Sequence, residues 1–465
     1  MSENTEIHQT EETFTDKNAY RDMTTGSPIR HILAFAVPMF IGNIFQQFYS
    51  IVDTMVAGYN IGDEAIAAIG ATSSLYGLII SLACGLSHGY AIVVTQAFGS
   101  HDTKRLKSSI AGMIKLNVYA AILLTVISLL LLKPILKLMN TPEAIFPQAL
   151  IYIQVICAGI PATIAYNTFA GILEAFGNSK TALYFLIIAS VTNIVLDIVL
   201  IMVFHLGVAG VAAATIIAQA LSAVLCGIYV IKKYRKFLPS RKDFAVSPNL
   251  LWNIFTTGFA MAMMYCVVDM GSVLFQSANN KLGYMYITAH TAARRIIVVM
   301  MNPLGTIATA FATFTGQNYG AKRFDRIRST MKKVLLLEAG WGLGSWLLIL
   351  LTGRFLIHLT TGTTDPDIIK NAVLSLNVHL PFYAPLGVLL CLRSMMQAMG
   401  QKAAPVISNS LELTIKIISA FYLVPKIGFI GTCITEPVTW IVCMIFLLIF
   451  YAIWHKRWQK NQAEL

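Results

Sequence analysis

The sequence predicts an all-α polytopic membrane protein with twelve transmembrane helices in two six-helix lobes, related by a pseudo-two-fold axis along the membrane normal. Composition, the length of the uncharged runs and an internal repeat predict this class. Of the 465 residues, 56% are hydrophobic and 12% are charged, against about 25% charged in soluble proteins. A spanning helix needs about 20 mostly apolar residues, and the apolar runs lack the alternation of a transmembrane barrel. Four long runs contain no Asp, Glu, Lys or Arg, at residues 65–101, 144–173, 198–231 and 296–321.

The spans follow one another with short connections, apart from one longer basic segment near the middle of the chain. An N-terminal tail at 1–29 is polar and acidic, which is unlike a cleavable signal peptide, and is expected to be flexible. The predicted cores of the twelve spans are 31–57, 66–98, 111–138, 147–175, 181–204, 208–231, 250–280, 286–318, 334–360, 371–399, 402–424 and 429–454.

The distribution of basic residues predicts the orientation. With the N-terminus inside, the inner loops hold 21 Lys and Arg, and the outer loops hold six. Cytoplasmic loops carry an excess of these residues, so both termini are expected in the cytoplasm and the number of spans is even. The net charge of +12 follows from this loop excess, and no nucleic acid partner is predicted.

An internal repeat divides the chain in two. Gln96, Gly99 and Arg105 match Gln317, Gly320 and Arg326 at an offset of 221, and "LGVAG" at 206–210 meets "IGFIG" at 427–431 at the same offset. Six spans per half place both halves in the same orientation, so the repeats are parallel. The predicted organisation is a lobe at 30–231, a basic cytoplasmic linker at 232–249, a second lobe at 250–455 and a C-terminal tail at 456–465. A transporter with a cleft between two lobes follows from this organisation.

Acidic residues within the spans are the first candidates for function, because a carboxylate in hydrocarbon is costly without a partner, a proton or a role. Asn193 lies four residues before Asp197, so their side chains share one helix face. With Thr215 on the next span and Asp53 on the first, they offer carboxyl, amide and hydroxyl oxygens to a cation or a proton. A hydrogen-bond network that only joins helices is the alternative.

Further residues are predicted to support or complement this site. Pro38 predicts a kink in the first span, which would let that helix move when Asp53 changes charge. Asp269, near the middle of the seventh span, is either a substrate contact or an ion-pair partner of Arg294 and Arg295. Glu412 and Lys416 are four residues apart and are expected to pair, whereas Glu338 and Glu436 have no predicted role.

An enzyme is not expected, because His290, His358 and His379 lie on different predicted spans without metal-ligand spacing. The phosphate-loop pattern and the common hydrolase motifs are missing from the sequence. Any pumping is therefore expected to use an ion gradient, without a cofactor.

Several segments together resemble the multidrug and toxic compound extrusion (MATE) family, over nearly the whole chain after residue 28. The pattern is most similar to the bacterial and archaeal branch with coupling acids in the N-terminal lobe. The segments are "VPMFIGNIFQQFYSIVDTMVAG", "TQAFGSHD", "LEAFGNSKTAL", "TNIVLDIVLIMVFHLGVAGVAAATIIAQ" and "LRSMMQAMGQKAAPV".

The resemblance implies efflux of cationic or amphipathic compounds in exchange for Na⁺ or H⁺, by alternating access at a V-shaped cleft. The family's cation site falls on Asp53, Asn193, Asp197 and Thr215, and the coupling ion is the only cofactor implied. Some members carry a further acid pair in the seventh and tenth helices, but "APLGVLLCL" in the tenth span here has no acid. A monomer in a bacterial plasma (inner) membrane is expected, contacting lipid. The alternative is a flippase for a lipid-linked saccharide or another lipid precursor, which would need several cationic side chains in the cleft, such as Arg294, Arg295, Lys115 and Lys416.

Overall fold

The structure is a computed structural model that describes residues 20–463, without the side chains of Ser50, Thr54, Ala57, Asp63 and residues 457–463. Within this part of the chain the regular structure is entirely helical. The α-helices are α1 (Pro28–Ile61), α2 (Asp63–Gly99), α3 (Thr103–Leu138), α4 (Phe146–Ala158), α5 (Ile160–Ala175), α6 (Ser179–Ile198), α7 (Gly207–Lys233), α8 (Pro248–Asn280), α9 (Tyr284–Gly320), α10 (Phe324–Thr361), α11 (Pro366–His379), α12 (Tyr383–Ala398), α13 (Ala403–Ile418), α14 (Val424–Ile427) and α15 (Phe429–Ala463).

The number of helices that can cross a membrane agrees with the prediction. Eleven of the described helical stretches are long and apolar enough to span a bilayer, and α4 and α5 make a twelfth when the pair is taken as one span bent by 41°. The predicted all-α, twelve-span class is therefore confirmed. The predicted span cores lie inside these helices to within a few residues, as expected where helix ends are hard to predict.

Breaks within the spans follow the sequence repeat. Pro161 stands just after the bend between α4 and α5, and Pro381 stands in a 3₁₀ turn, Leu380–Phe382, between α11 and α12. A proline inside a helix removes one hydrogen-bond donor, so both breaks have the same local cause. A π-helical turn also follows α6 at Val199–Val203, and another follows α13 at Ser419–Leu423, 220 positions later. None of these breaks was predicted.

The helices form two compact units by contact. Of the described residues, one comprises 20–26, 37–265 and 316–322, and the other comprises 27–36, 266–315 and 323–463. In the first unit α2 packs against α3, α4 and α5, and α7 packs against α4, α5 and α6; in the second, α15 packs against α11, α12 and α13. This division follows packing, whereas the predicted lobes 30–231 and 250–455 follow the repeat, so those boundaries stay predictions.

The C-terminal ends of α2 and α9, both in the first unit, approach each other closely. A Cβ at Gly99 would lie 1.9 Å from the carbonyl oxygen of Gln317, and a Cβ at Gly320 would lie 1.9 Å from that of Gln96. These contacts are reciprocal between positions matched in the repeat, as a local two-fold relation requires. Only glycine permits this distance between the two backbones.

The segment before α1 corrects the expectation of a flexible tail through residue 29. Residues 1–19 lie outside the described residues, but Tyr20, Met23 and Thr24 are buried. The Met23 N–H donates to Gln317 Oε1 at 2.8 Å, and the Tyr20 ring lies 5.6 Å from that of Phe98. Aromatic and backbone contacts therefore order this segment, although its composition is polar.

The linker at 232–249 is partly structured. It contains two short 3₁₀ turns, Arg235–Phe237 and Arg241–Phe244. The Asp243 carboxylate accepts hydrogen bonds from the backbone N–H of Ser240 at 2.7 Å and from its hydroxyl at 2.8 Å. These bonds hold the pKa of Asp243 below its ordinary value, so this acid is charged at neutral pH.

Candidate functional site

The structure brings Asp53 and Asp197 together inside the first unit. Asp53 lies on α1 and is partly buried, whereas Asp197 lies near the C-terminal end of α6 and is fully buried. The two carboxyl groups interact directly with each other. Asn193 is one turn before Asp197 on the same helix and is 3% exposed. Three of the four predicted site residues therefore form one cluster, held by two helices.

The polar atoms of this cluster lack protein partners. Asp53 Oδ1, both oxygens of Asp197, and both Oδ1 and Nδ2 of Asn193 are buried without a hydrogen-bond partner in the protein. Most buried polar groups in folded proteins are paired, and leaving one unpaired costs about 1–3 kcal/mol. Five such atoms lie together here, and a ligand at this cluster would supply their missing partners.

A small cavity adjoins the cluster and contains the fourth residue. It offers about 50 Å³ to the centres of water-sized molecules, compared with the ~10–15 Å³ that one buried water needs. Asn193 lines it from α6 and Thr215 from α7. The Thr215 hydroxyl donates to Val211 O at 3.2 Å, so its oxygen lone pairs remain available. The other polar groups in the lining are Gln46, Tyr49, Tyr166, Ser190, Gln219 and Ser222.

The local helix geometry explains how Asp197 is presented. The π-helical turn at Val199–Val203 begins two residues after it. A π turn widens the helix and changes the direction of the side chains near it, and such turns recur at functional sites. Because Asn193 precedes the turn by more than one helical turn, it keeps its regular i, i+4 relation to Asp197.

The cluster offers carboxyl, amide and hydroxyl oxygens, the groups that a small cation or a proton requires. Two carboxyl groups that interact repel each other when both are ionised, and one shared proton removes this repulsion. A bound cation does the same, and the oxygens of Asn193 and Thr215 would complete its coordination. Within the described residues, no group of three or more His, Cys, Asp or Glu forms a site for a transition metal.

In the second unit, Arg294 has a partner other than the predicted one. Its Nη1 lies 2.5 Å from Glu436 Oε1, whereas Arg295 donates to the backbone oxygen of Thr360 at 3.4 Å. Arg294 is thus paired with an acid to which the sequence analysis gave no role, and the pairing with Asp269 stays a prediction. The roles proposed for Asp269 as a substrate contact and for Pro38 as a kink stay predictions; α1 runs through Pro38 as one helix.

His379 contacts the same carboxylate, that of Glu436. Its Nε2 lies 3.5 Å from Glu436 Oε2, and its side chain is 1% exposed. His290 lies close enough to interact with Glu436 and His379, so these two histidines are less scattered than the sequence suggested. The internal repeat could have drawn attention to Glu436, because it lies 221 positions after Thr215, one of the predicted site residues.

Glu412 has the partner that the sequence predicted and one more. Lys416 Nζ lies 3.0 Å from Glu412 Oε1, which confirms that pair. Arg393 Nη2 lies 3.3 Å from the other carboxylate oxygen. The sequence analysis counted Arg393 among the loop charges, but it is buried within α12. Glu338 is fully buried on α10, and its Oε1 lies 3.5 Å from the Cys391 sulfur.

The sequence profile of one family, MatE, matches residues 38–199 and 260–422. The two matched stretches fall one in each half of the repeat and together cover more than half of the chain. The chain belongs to the MatE family.

Individual MatE relatives match over most of their length. The chain is 26% identical to the "Probable multidrug resistance protein YpnP" of Bacillus subtilis (strain 168), over 84% of this chain and 87% of that protein. It is 24% identical to the "Probable multidrug resistance protein YoeA" of the same organism, over 93% and 95%.

Solved structures share the fold of this MatE protein. One described as "Crystal structure of MATE in the bent conformation" superposes with a TM-score of 0.87 at 21% identity, covering 95% of this chain and 98% of the other. The resemblance seen in the sequence is therefore confirmed at the level of family and fold.

Proposed function

We propose that this MatE protein is a secondary active antiporter that exports cationic or amphipathic small molecules in exchange for Na⁺ or H⁺. Two relatives matched by sequence carry the name "Probable multidrug resistance protein". Alternating access requires that the ion and the exported compound favour different conformations. In this mechanism the ion binds the cluster of Asp53, Asn193, Asp197 and Thr215.

One observation carries the proposal: the five buried polar atoms of Asp53, Asn193 and Asp197 that have no protein partner. A structural network between helices would satisfy these atoms internally, as the Ser87 hydroxyl and the Asn117 amide do by bonding to Asn117 Oδ1 and Thr168 Oγ1. Unpaired atoms beside a cavity instead fit a ligand that enters and leaves. The coupling ion is that ligand and is transported as cargo, so the proposal includes no resident cofactor.

The proposal places the protein in a plasma membrane, with both termini in the cytoplasm, as a monomer surrounded by lipid. The excess of Lys and Arg in the loops on one side supports the orientation. Its partners are small molecules, and it performs no covalent chemistry.

The alternative, a flippase for an anionic lipid precursor, is less well supported. Such a protein needs cations that are free to bind a pyrophosphate group. Arg294 and Lys416 are each paired with a buried carboxylate, and Arg295 contacts a backbone oxygen. Two of the four cations that kept this alternative open, Arg294 and Lys416, are therefore each paired with a carboxylate of the protein.

The test is efflux of a cationic dye from proteoliposomes under an imposed Na⁺ gradient and, separately, an imposed pH gradient. One gradient should drive efflux by the wild type, and Asp53→Asn and Asp197→Asn should each lower the rate at least tenfold. The carboxamide retains the shape of the acid but cannot carry the charge that the ion must neutralise. The gradient that works identifies the coupling ion.

Asp243→Asn is the matched control, because it makes the same chemical change in the linker, outside the spans, and should transport like the wild type. Equal efflux by all three variants and the wild type would show that the cluster is structural. Absence of efflux by the wild type under both gradients would reject the antiporter and lead to an assay with anionic lipid substrates.

A further inference from the structure

In the second unit two ionisable side chains, Arg294 and His379, contact the carboxylate of a third, Glu436. The three residues lie on three different helices. Arg294 on α9 contacts Glu436 Oε1, and His379 on α11 contacts Glu436 Oε2, at 2.5 and 3.5 Å. The glutamate lies on α15. Each carboxylate oxygen therefore faces one potential donor. Arg294, His379 and Glu436 form a triad whose residues are not part of the proposed antiport site in the first unit.

The hydrogen bonds of His379 determine where its proton lies. Its Nδ1 lies 2.7 Å from the backbone oxygen of Ser375, and a carbonyl oxygen can only accept a hydrogen bond. Nδ1 therefore carries the hydrogen. In the neutral ring Nε2 then has a lone pair, which points at the lone pairs of the Glu436 carboxylate. This contact becomes attractive only when a proton lies on Nε2 or on the carboxyl group.

The burial of the triad is graded. The His379 side chain is 1% exposed, that of Glu436 is 10% exposed, and that of Arg294 is 39% exposed. A guanidinium group exposed to hydrocarbon is costly, so the open side of Arg294 is expected to face water. A proton from water can thus reach the buried pair past Arg294.

The charges of the groups around the triad allow it to accept one additional proton. Without the extra proton the arginine and the glutamate cancel and the histidine is neutral. The other titratable groups that face the triad are His290 on α9, Tyr383 on α12 and Lys416 on α13, with Glu412 beyond Lys416. The Tyr383 hydroxyl already donates to Ile297 O at 2.7 Å, and Lys416 is paired with Glu412. Glu338 on α10, a helix that packs against α11, contacts Cys391 instead.

The repeat relates this triad to the candidate cation site. Glu436 lies 221 positions after Thr215, in continuous register with the matched segments at 206–210 and 427–431. At the same offset Asn193 and Asp197 fall on Thr414 and Ile418, and the nearby Glu412 and Lys416 neutralise each other. In the second half the ionisable group matched to the candidate cation site is therefore Glu436, on the sixth span at the position of Thr215.

We propose that His379 and Glu436 form a second proton-binding site in the C-terminal half. The site takes one proton from water and holds it between His379 Nε2 and Glu436 Oε2, and the charge of the triad changes from zero to +1. Arg294 keeps the carboxylate ionised, so the histidine carries the proton. This binding goes beyond the proposed antiport and does not depend on it.

Trp440 provides a direct reporter of the proton. Its indole ring lies 6.0 Å from the His379 ring in an edge-to-face arrangement, and an imidazolium quenches a neighbouring indole more strongly than a neutral imidazole does. The experiment is a fluorescence titration from pH 5 to 9 of purified protein in which Trp440 is the only tryptophan, with Trp252, Trp341, Trp346, Trp454 and Trp458 replaced by Phe.

We expect a reversible loss of fluorescence on acidification in this protein. His379→Gln should abolish it, whereas His290→Gln and the matched control His358→Gln should retain it. Glu436→Gln should move the midpoint to lower pH, because it removes the opposite charge that favours the imidazolium. If the single-tryptophan protein or a variant does not fold, the comparison of full-length wild type with Trp440→Phe isolates the same signal.

Two results would overturn the proposal. One is a fluorescence that stays constant from pH 5 to 9, and the other is a transition that persists unchanged in His379→Gln. Asp53→Asn and Asp197→Asn should leave the transition unchanged, so a failure of the antiport proposal and a failure of this one give different results.

Discussion

At the scale of single residues, the acids within the spans divide by what neutralises them. Glu412 and Glu436 each contact a cationic side chain within the protein. Asp197 and Asp53 interact with each other, and no cationic side chain in the described part of the chain forms an ion pair with them. A buried carboxylate needs a counter-charge or a proton. For Glu412 and Glu436 a cationic side chain supplies the counter-charge, whereas the proposed ion or proton would supply it for Asp53 and Asp197.

Glu412→Gln tests the structural reading of the first group. The substitution leaves the buried Lys416 and Arg393 without a negative partner, and breaking a buried ion pair from one side costs about 3–5 kcal/mol. We expect a clearly lower thermal unfolding midpoint in detergent. Glu143→Gln, at an exposed acid between α3 and α4, should melt like the wild type; equal melting of both variants would mean that the Glu412 network contributes no stability.

At the scale of helices, the closest packing in the first unit depends on two glycines matched by the repeat. The ends of α2 and α9 meet at Gly99 and Gly320, where an added Cβ would overlap a backbone oxygen of the opposite helix. Small residues allow such close approach of membrane helices. The sequence marked both positions as repeat anchors but gave no reason for their identity, which only the packing explains.

Gly99→Ala should therefore destabilise the protein, because the helix ends must separate to admit the methyl group. Overpacking of this kind costs about 1–3 kcal/mol or more, and Gly320→Ala should have a similar effect. The control is Gly77→Ala on the same helix, where an added Cβ meets nothing within 4 Å and helix propensity improves. The measurement is the unfolding midpoint of each variant; a stable Gly99→Ala protein would contradict the close contact.

At the scale of the whole molecule, charge outside the spans predicts the orientation, and the acids within the spans are the candidates for the chemistry. The net charge of +12 comes chiefly from the predicted inner loops. Lys236 lies in the linker and Glu143 between α3 and α4, and both are exposed. The predicted topology puts them on opposite sides of the membrane.

Labelling of intact cells with a membrane-impermeant maleimide tests this topology. Glu143→Cys should be labelled from outside, whereas Lys236→Cys should be labelled only after the cells are opened. The wild type, whose seven native cysteines lie in the membrane-spanning helices, gives the background. The reverse pattern would invert the orientation and, with it, the direction of transport.

The sequence by itself determined the class of this protein, its spans, its repeat and the residue types of the candidate cation site. Composition and run length suffice for this, because a bilayer imposes one length and one polarity on every spanning helix. The spacing of Asn193 and Asp197 is local, so helix geometry alone predicts that they share a face. The pairing of Glu412 with Lys416 was predictable for the same reason.

Only the tertiary structure decided which distant groups meet. Arg294 binds Glu436, 142 residues away, and His379 contacts the same carboxylate. The segment at 20–24 packs against residues from distant parts of the chain. These contacts join different helices, and their register depends on how whole helices pack. A sequence pattern specifies the face of a helix, but the neighbour of that face is set by the packing of all the helices together.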